Sequence, residues 1–317
     1  MKRIALAVLL VVPLALAACG HQKAPAPPRP TPTPTLERGA PPQPAGSRTV
    51  TDMTGRPVSL PATVTRVIAL SPTAVDLATA LGLEIIGKAS DAQGPDAAPN
   101  VGSSLSPDFT AMARLQPDLV VADAAYQGSF TRDFERFPYP VFVVKAASYE
   151  SSLEALQRLG EAAGRSEQAN AAADAIEARV EAAKAKLAGR PARSVLIVTG
   201  QGREVYGASE STYAGDLAKL LGAANVLGAA AEGAPLPGFA TVDINQLATR
   251  NPDYVLVIVR TQGPSLAADI RASAAWSNRE AVARGRVIEL DARLFLRAPG
   301  PGAADAVEKL AAVLGGG

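Results

Sequence analysis

The sequence contains almost none of the residues on which most catalytic and metal sites depend. Its 317 residues include one cysteine, Cys19, and one histidine, His21, and both lie near the N-terminus. The rest of the chain therefore has no disulfide, no cysteine nucleophile, no Ser-His-Asp triad and no zinc site of histidine and cysteine ligands. We predict that the protein is not an enzyme and has no cofactor of its own.

The chain also lacks an excess of charge of either sign. Its formal net charge is +1, and it becomes −1 once Lys2 and Arg3 leave with the leader described next. Near-neutral charge and the absence of a basic block argue against nucleic-acid binding.

The first 18 residues are typical of a bacterial export signal. Lys2 and Arg3 precede an apolar run at 4–18 that is short for a permanent membrane span. The residues Leu-Ala-Ala-Cys at 16–19 resemble a lipobox, which predicts a lipoprotein signal peptide over 1–18 and lipidation of Cys19. An ordinary signal with a cysteine nearby is the alternative. Residues 19–47 are rich in Pro and Ala and predict an extended tether to the membrane, outside the cytoplasm.

The rest of the chain alternates between short apolar runs and helical patterns, which predicts an α/β fold with mostly parallel sheets. A hairpin is expected at 49–60, and Ser151 and Ser166 are expected to cap two helices. The helical segment at 149–190 contains one long helix at about 166–188. We predict an N-terminal lobe at 48–148 and a C-terminal lobe at 191–317, joined by this single long helix. The predicted strands cover 66–70, 119–122, 141–144, 195–199, 255–259 and 287–290.

One pattern occurs twice, once on each side of the long helix. Asp108 begins a helical pattern that ends in Pro-Asp at 117–118, and Asp243 begins another that ends in Pro-Asp at 252–253. Each first Asp is suited to cap a helix, and each Pro-Asp pair is suited to turn the chain into a strand. The repeat favours two related lobes, and convergent helix–turn–strand sequences are the alternative.

The lipobox, the hairpin, the segment Arg-Val-Ile-Ala-Leu-Ser-Pro at 66–72 and the two Pro-Asp turns together resemble one family. It comprises the substrate-binding proteins of ABC importers for ferric siderophores, haem and cobalamin. The resemblance covers roughly residues 49–314. It implies two α/β lobes joined by one long helix, a ligand in the cleft between them, small domain motions, and a permease dimer with its ATPase as partner.

The sequence departs from this family at the docking positions. In much of the family a Glu seven residues before the Pro of each lobe binds arginines of the permease, but here Thr110 and Asn245 occupy those places. Asp108 and Asp243 stand two positions earlier. Either this pair replaces the glutamates in docking, or it only caps helices.

Large aromatic side chains are a second departure. Aromatic residues make up 4% of the chain, and Trp276 is the only Trp. Haem and cobalamin sites usually use flat side chains to cover the macrocycle, so a ferric siderophore is the preferred cargo, followed by haem and then cobalamin.

Ligands of open parallel sheets bind beyond the carboxyl ends of the strands. Four arginines near such ends are suited to form a cationic wall for oxygen-rich ferric chelates, because guanidinium binds paired oxygens and stays charged. The alternative is that each arginine is a surface or ion-paired residue. With no histidine beyond His21, a Tyr126 phenolate would be the axial ligand of a haem cargo. The alternative is a half-buried tyrosine that lines the pocket. The candidate cleft residues are Ser71, Pro72, Thr73, Tyr126, Gln127, Arg203, Tyr206, Arg260, Arg293 and Arg297.

The sequence therefore predicts a monomeric lipoprotein that captures a small-molecule metal chelate and delivers it to an ABC permease. The missing docking glutamates keep a second hypothesis open, in which a membrane-tethered sensor or interaction module retains the binding fold without transport.

Overall fold

Two larger β-sheets, of four and six strands, organise the described part of the chain, and a pair of helices lies between them in sequence. The structure is a computed structural model that describes residues 46–202, 204–228, 237–259, 265–297 and 299–316. The predicted signal peptide, Cys19, Arg203 and Arg260 lie outside these residues. Residues 41–317 form one compact unit. Within the described ranges, no helix combines the length and the hydropathy that crossing a membrane requires.

The first lobe opens with the predicted hairpin and contains a four-stranded parallel sheet. The sheet has the order β4-β3-β7-β8, and the hairpin pairs β1 with β2 in antiparallel fashion. Its strands are β1 (Arg48–Thr51), β2 (Pro57–Leu60), β3 (Arg66–Ala69), β4 (Glu84–Lys88), β5 (Gly102–Ser103), β6 (Ser106–Pro107), β7 (Leu119–Asp123) and β8 (Val141–Val144). Its helices are α1 (Pro72–Ala80), α2 (Phe109–Arg114), α3 (Ala124–Gln127) and α4 (Thr131–Arg136).

Two long helices follow, α5 (Tyr149–Ala163) and α6 (Ser166–Ala185). They cross closely because Gly160 has no side chain: a Cβ there would collide with the Cβ of Ala169. The predicted caps are wrong by a few residues. Ser148 caps α5, with Ser151 as its capping-box partner, and Ser166 is the first residue of α6 rather than its cap.

The second lobe contains a mixed sheet of order β12-β10-β9-β13-β14, with β11 also paired to β9. Strands β9, β13 and β14 are parallel, whereas β10 runs antiparallel to β9 and β12. The strands are β9 (Ser194–Gln201), β10 (Glu204–Ala208), β11 (Ala224–Asn225), β12 (Phe239–Thr241), β13 (Tyr254–Val259) and β14 (Val287–Asp291). The helices are α7 (Tyr213–Leu220), α8 (Ile244–Leu247), α9 (Leu266–Ala272), α10 (Glu280–Ala283) and α11 (Ala303–Gly315).

The repeated sequence pattern is a repeated structure. Asp108 and Asp243 accept hydrogen bonds from the two backbone N–H groups that open α2 and α8. The Asp of each Pro-Asp pair then binds the start of the neighbouring strand: Asp118 accepts from Thr65 and Arg66 before β3, and Asp253 accepts from Ser194 at β9. Burial alone would raise the pKa of Asp118 and of Asp253. The hydrogen bonds lower the pKa by more than burial raises it, so each carboxyl stays below its ordinary pKa.

Candidate ligand-binding cleft

Residues that follow the carboxyl ends of strands in both sheets meet where the two lobes come together, and we call this region the cleft. Residues 71–73 follow β3, and Tyr126 on α3 follows β7. From the other lobe, a short π-helical turn at Arg293–Arg297 follows β14. The crevice rule for parallel sheets therefore places these residues at one site, as the sequence predicts.

Two ion pairs cross this cleft. Arg293 Nη2 lies 3.2 and 3.4 Å from the two carboxylate oxygens of Asp76 on α1. Arg297 Nη2 donates to Asp91 Oδ2 at 2.9 Å. The predicted cationic wall is therefore not an open positive surface, because both arginines in the described part of the wall are paired with carboxylates of the opposite lobe.

The two carboxylates differ in their surroundings. Partial burial raises the pKa of Asp91, but the N–H and O–H of Ser104 and the charge of Arg297 lower it more, so it stays below its ordinary value. Burial also raises the pKa of Asp76, and there Arg293 offsets only part of the effect. The distances agree with this difference in pKa, because Arg297 lies 2.9 Å from Asp91 whereas Arg293 lies 3.2 Å from Asp76.

Tyr126 connects the lobes through its hydroxyl, which donates to the backbone carbonyl of Arg297 at 3.0 Å. Burial raises the pKa of Tyr126, the nearby Asp123 carboxylate raises it further, and Arg297 lowers it only in part. A raised pKa disfavours the phenolate that would ligate haem iron.

Ser71, Pro72 and Thr73 form the floor of the cleft and are fully buried. Ser71 Oγ caps α1 by accepting from the N–H of Ala74 at 3.0 Å. A Cβ at Gly300 of the second lobe would lie 3.9 Å from the Thr73 methyl group, so the chain at Gly300 lies close to the floor.

Gln127 is also buried, and its amide is used inside the first lobe. It donates to the carbonyls of Leu70 and Ser104 and accepts from the N–H of Asp123. The polar atoms of Ser71 and Gln127 thus brace the cleft in this arrangement and do not face into it.

Asp123, the last residue of β7, also belongs to the floor. It is 1% exposed, and burial raises its pKa to about 6, although the N–H of Ala125 and the Thr73 hydroxyl lower it. Asp123 Oδ2 and Thr73 Oγ1 are close enough to affect each other, yet neither forms a hydrogen bond of ordinary geometry within the described residues.

The candidate residue Tyr206 lies on β10, which forms an antiparallel β-hairpin with β9. Thr199 and Gln201 belong to β9, and Tyr206 pairs with Thr199 from β10. The positive φ of Gly200 and Gly202, 128° and 58°, lets the chain reverse there. The glycines therefore form the turn between the two strands, and Tyr206 is half-buried on the sheet.

Among the described residues, a large cavity lies away from the cleft, and no cluster of metal ligands points to the cleft. A cavity of about 780 Å³ is lined by residues 56–61 and 137–141, at the amino ends of the strands. It lies at the opposite sheet edge from the cleft. Within the described ranges, no group of three or more His, Cys, Asp and Glu side chains is arranged to hold a metal ion.

Sequence reasoning missed the two carboxylates that pair with the arginines of the cleft, those of Asp76 and Asp91. Asp76 had a signal, since it is the one charged residue in the otherwise apolar segment that forms α1. Asp91 had none, because it lies in a loop that only the fold brings to Arg297.

Comparisons with known proteins agree with this architecture. The sequence model of the family described as periplasmic binding protein matches residues 67–294. An Fe(3+)-citrate-binding protein of Bacillus subtilis strain 168 is 22% identical over 262 residues, which cover 79% of this chain and 80% of that protein.

Solved structures share the fold at low identity. The periplasmic catecholate-siderophore binding protein of Vibrio cholerae has a TM-score of 0.70 and 18% identity, covering 84% of this chain and 98% of that one. The haem complex of Staphylococcus aureus IsdE has a TM-score of 0.66 and 20% identity, covering 79% and 98%. The predicted two-lobe α/β fold is confirmed, and the chain belongs to the periplasmic binding protein family.

Proposed function

We propose that the protein captures an anionic iron chelate in the cleft between its lobes and delivers it to an ABC permease with its ATPase. A ferric siderophore, including ferric citrate, is the preferred cargo, followed by haem and then cobalamin. The observation that carries the proposal is the pair of arginines, Arg293 and Arg297, that project into the cleft of a periplasmic binding protein. The ferric citrate binder among the relatives supports the choice of cargo.

The cleft chemistry favours oxygen-rich anions over flat macrocycles. Guanidinium groups bind carboxylate and catecholate oxygens through paired, charge-assisted hydrogen bonds. The raised pKa of Tyr126 disfavours a haem-ligating phenolate. Trp276 is buried in the second lobe, where its indole N–H donates to the carbonyl of Ile244, so it is not a stacking platform for a macrocycle.

Calorimetric titration of the mature chain tests the proposal. The ligands are ferric citrate, a ferric catecholate, hemin and cobalamin, with iron-free citrate as a control. We expect saturable binding of an anionic ferric chelate that is tighter than binding of hemin or cobalamin. Tight binding of cobalamin alone, which carries no iron, would refute the iron-chelate assignment. Calorimetry is preferred because the only Trp lies away from the cleft.

The anchor completes the proposed function. A lipid on Cys19 and a tether over 19–47 would hold a monomeric protein at the cell membrane, outside the cytoplasm, where cargo arrives. A Cys19→Ser variant that still labels with a radioactive fatty acid would contradict this assignment.

Asp108 and Asp243 are proposed to provide the acidic docking contacts in place of the usual glutamates. Both are exposed, and both also cap helices, so charge reversal would confuse the two roles. Asn caps a helix about as well as Asp but carries no charge. We expect the double variant Asp108→Asn, Asp243→Asn to weaken binding to the cognate permease by about tenfold and to leave cargo affinity unchanged.

The matched control is Asp174→Asn with Glu177→Gln, which removes two exposed charges from α6. Unchanged permease affinity in the Asp108 and Asp243 variant would assign these residues to capping alone. If the wild-type protein binds cargo but no permease encoded beside it, the tethered sensor becomes the better assignment.

A further inference from the structure

The arginines of the cleft are occupied before any cargo arrives. Asp76 and Asp91 reach them from the first lobe, and both Asp side chains are partly exposed, at 20% and 31%. Arg293 and Arg297 are exposed at 45% and 38%. Water therefore reaches both pairs, and pairs of this kind are weak enough to exchange one carboxylate partner for another.

Both aspartates are anchored to their own lobe. Asp91 Oδ1 accepts from the N–H and Oγ of Ser104 at 2.8 and 2.9 Å, which leaves Oδ2 for Arg297. Asp76 is held by α1, in which its neighbours Val75 and Leu77 are buried. Neither carboxylate can move away with the cargo, so an arriving anion must compete with both.

We propose that Asp76 and Asp91 are specificity-determining residues that compete with anionic cargo for Arg293 and Arg297, and so set how much negative charge a cargo must carry to bind. This inference rests on the proposed function. In the empty protein the two carboxylates neutralise Arg293 and Arg297. A chelate that presents two or more anionic oxygens displaces them and takes over the guanidinium groups. A neutral chelate of the same size gains nothing from the arginines, and it leaves the ion pairs intact.

The test compares the wild type with the double variant Asp76→Asn, Asp91→Asn. The amide introduced by Asp91→Asn retains an oxygen for Ser104, and thermal unfolding checks that the variant folds. The probes are ferric citrate and a neutral ferric trihydroxamate, titrated by calorimetry. We expect the variant to bind ferric citrate about tenfold more tightly and the neutral chelate with unchanged affinity. Asp305→Asn with Glu308→Gln, which removes two carboxylates paired with Arg179 outside the cleft, is the matched control and should change neither affinity.

A second measurement needs no cargo. Phenylglyoxal modification of Arg293 and Arg297, followed by mass spectrometry, should be faster in the Asp76 and Asp91 variant than in the wild type. Equal modification rates, or chelate binding with an unchanged preference for charge, would overturn the proposal and leave the proposed function standing. If neither the wild type nor the variant bound any chelate, the proposed function would fail, and the selection of cargo by charge would fail with it.

Discussion

Replacing Arg293 and Arg297 together by Gln should weaken ferric citrate binding by about 100-fold. Hydrogen bonds to charged groups contribute about 1.5–3 kcal/mol each, so two guanidinium contacts represent about 3–6 kcal/mol. Breaking the existing pairs with Asp76 and Asp91 offsets about 1–2 kcal/mol of this gain in the wild type, because partly exposed ion pairs are weak. The remainder corresponds to two orders of magnitude in the dissociation constant. Calorimetric titration of the variant measures it.

The controls separate the effect of position from that of charge. Arg250→Gln with Arg284→Gln removes two exposed arginines from the same lobe and should leave the affinity unchanged. Arg293→Lys with Arg297→Lys keeps the charge but loses the paired geometry, so an intermediate loss is expected. A dissociation constant for the Gln variant within a few-fold of wild type would place the cargo elsewhere and remove the main support for the proposed site.

The fold follows from the sequence where hydrophobic runs are long and buried. Strands β7, β8 and β13 lie where apolar runs predicted them, because strands covered on both faces read as nearly unbroken Val, Leu and Ile. The hairpin at 48–60 and the two capping aspartates were predicted equally well, since turns and caps depend on a few neighbouring residues.

The strands that sequence reasoning missed are those with weaker patterns. Strand β4 lies at a sheet edge and alternates between buried and exposed residues over only five positions. Strand β10 follows a Gly-containing turn, and its sequence pattern predicts no strand. In both cases pairing with a neighbouring strand, which the local sequence does not encode, determines the structure.

The sequence predicts where the candidate cleft lies, but it does not predict which charges meet there. The ends of β3, β7 and β14 could be located because strand ends fix the crevice of a parallel sheet. The partners of Arg293 and Arg297 could not be predicted, since more than 200 positions separate each arginine from its aspartate. An ion pair between lobes depends on how two sheets are placed, and no local pattern records that.

Replacing Asp123 by Asn should stabilise the protein at pH 8 and should change how its stability depends on pH. Burial raises the pKa of Asp123 in the folded protein to about 6, from an ordinary value of 3.8. The folded state therefore binds more protons than the unfolded state between these values, and the free energy of unfolding falls as the pH rises through this window. Above about pH 6 the penalty is fully developed, at about 3 kcal/mol.

Asn at this position is neutral at every pH and keeps the local contacts. Its oxygen can accept from the N–H of Ala125, as Asp123 Oδ1 does, and its amide can donate to Thr73 Oγ1, which otherwise lacks a well-formed hydrogen bond among the described residues. Urea denaturation at pH 4, 5, 6 and 8 should show an advantage of the variant over wild type that grows with pH, by up to about 3 kcal/mol. Asp108→Asn makes the same change at an exposed cap and isolates the contribution of burial. An advantage that did not grow between pH 4 and pH 8 would mean that water reaches Asp123, and hence that the floor beneath Gly300 is open in solution.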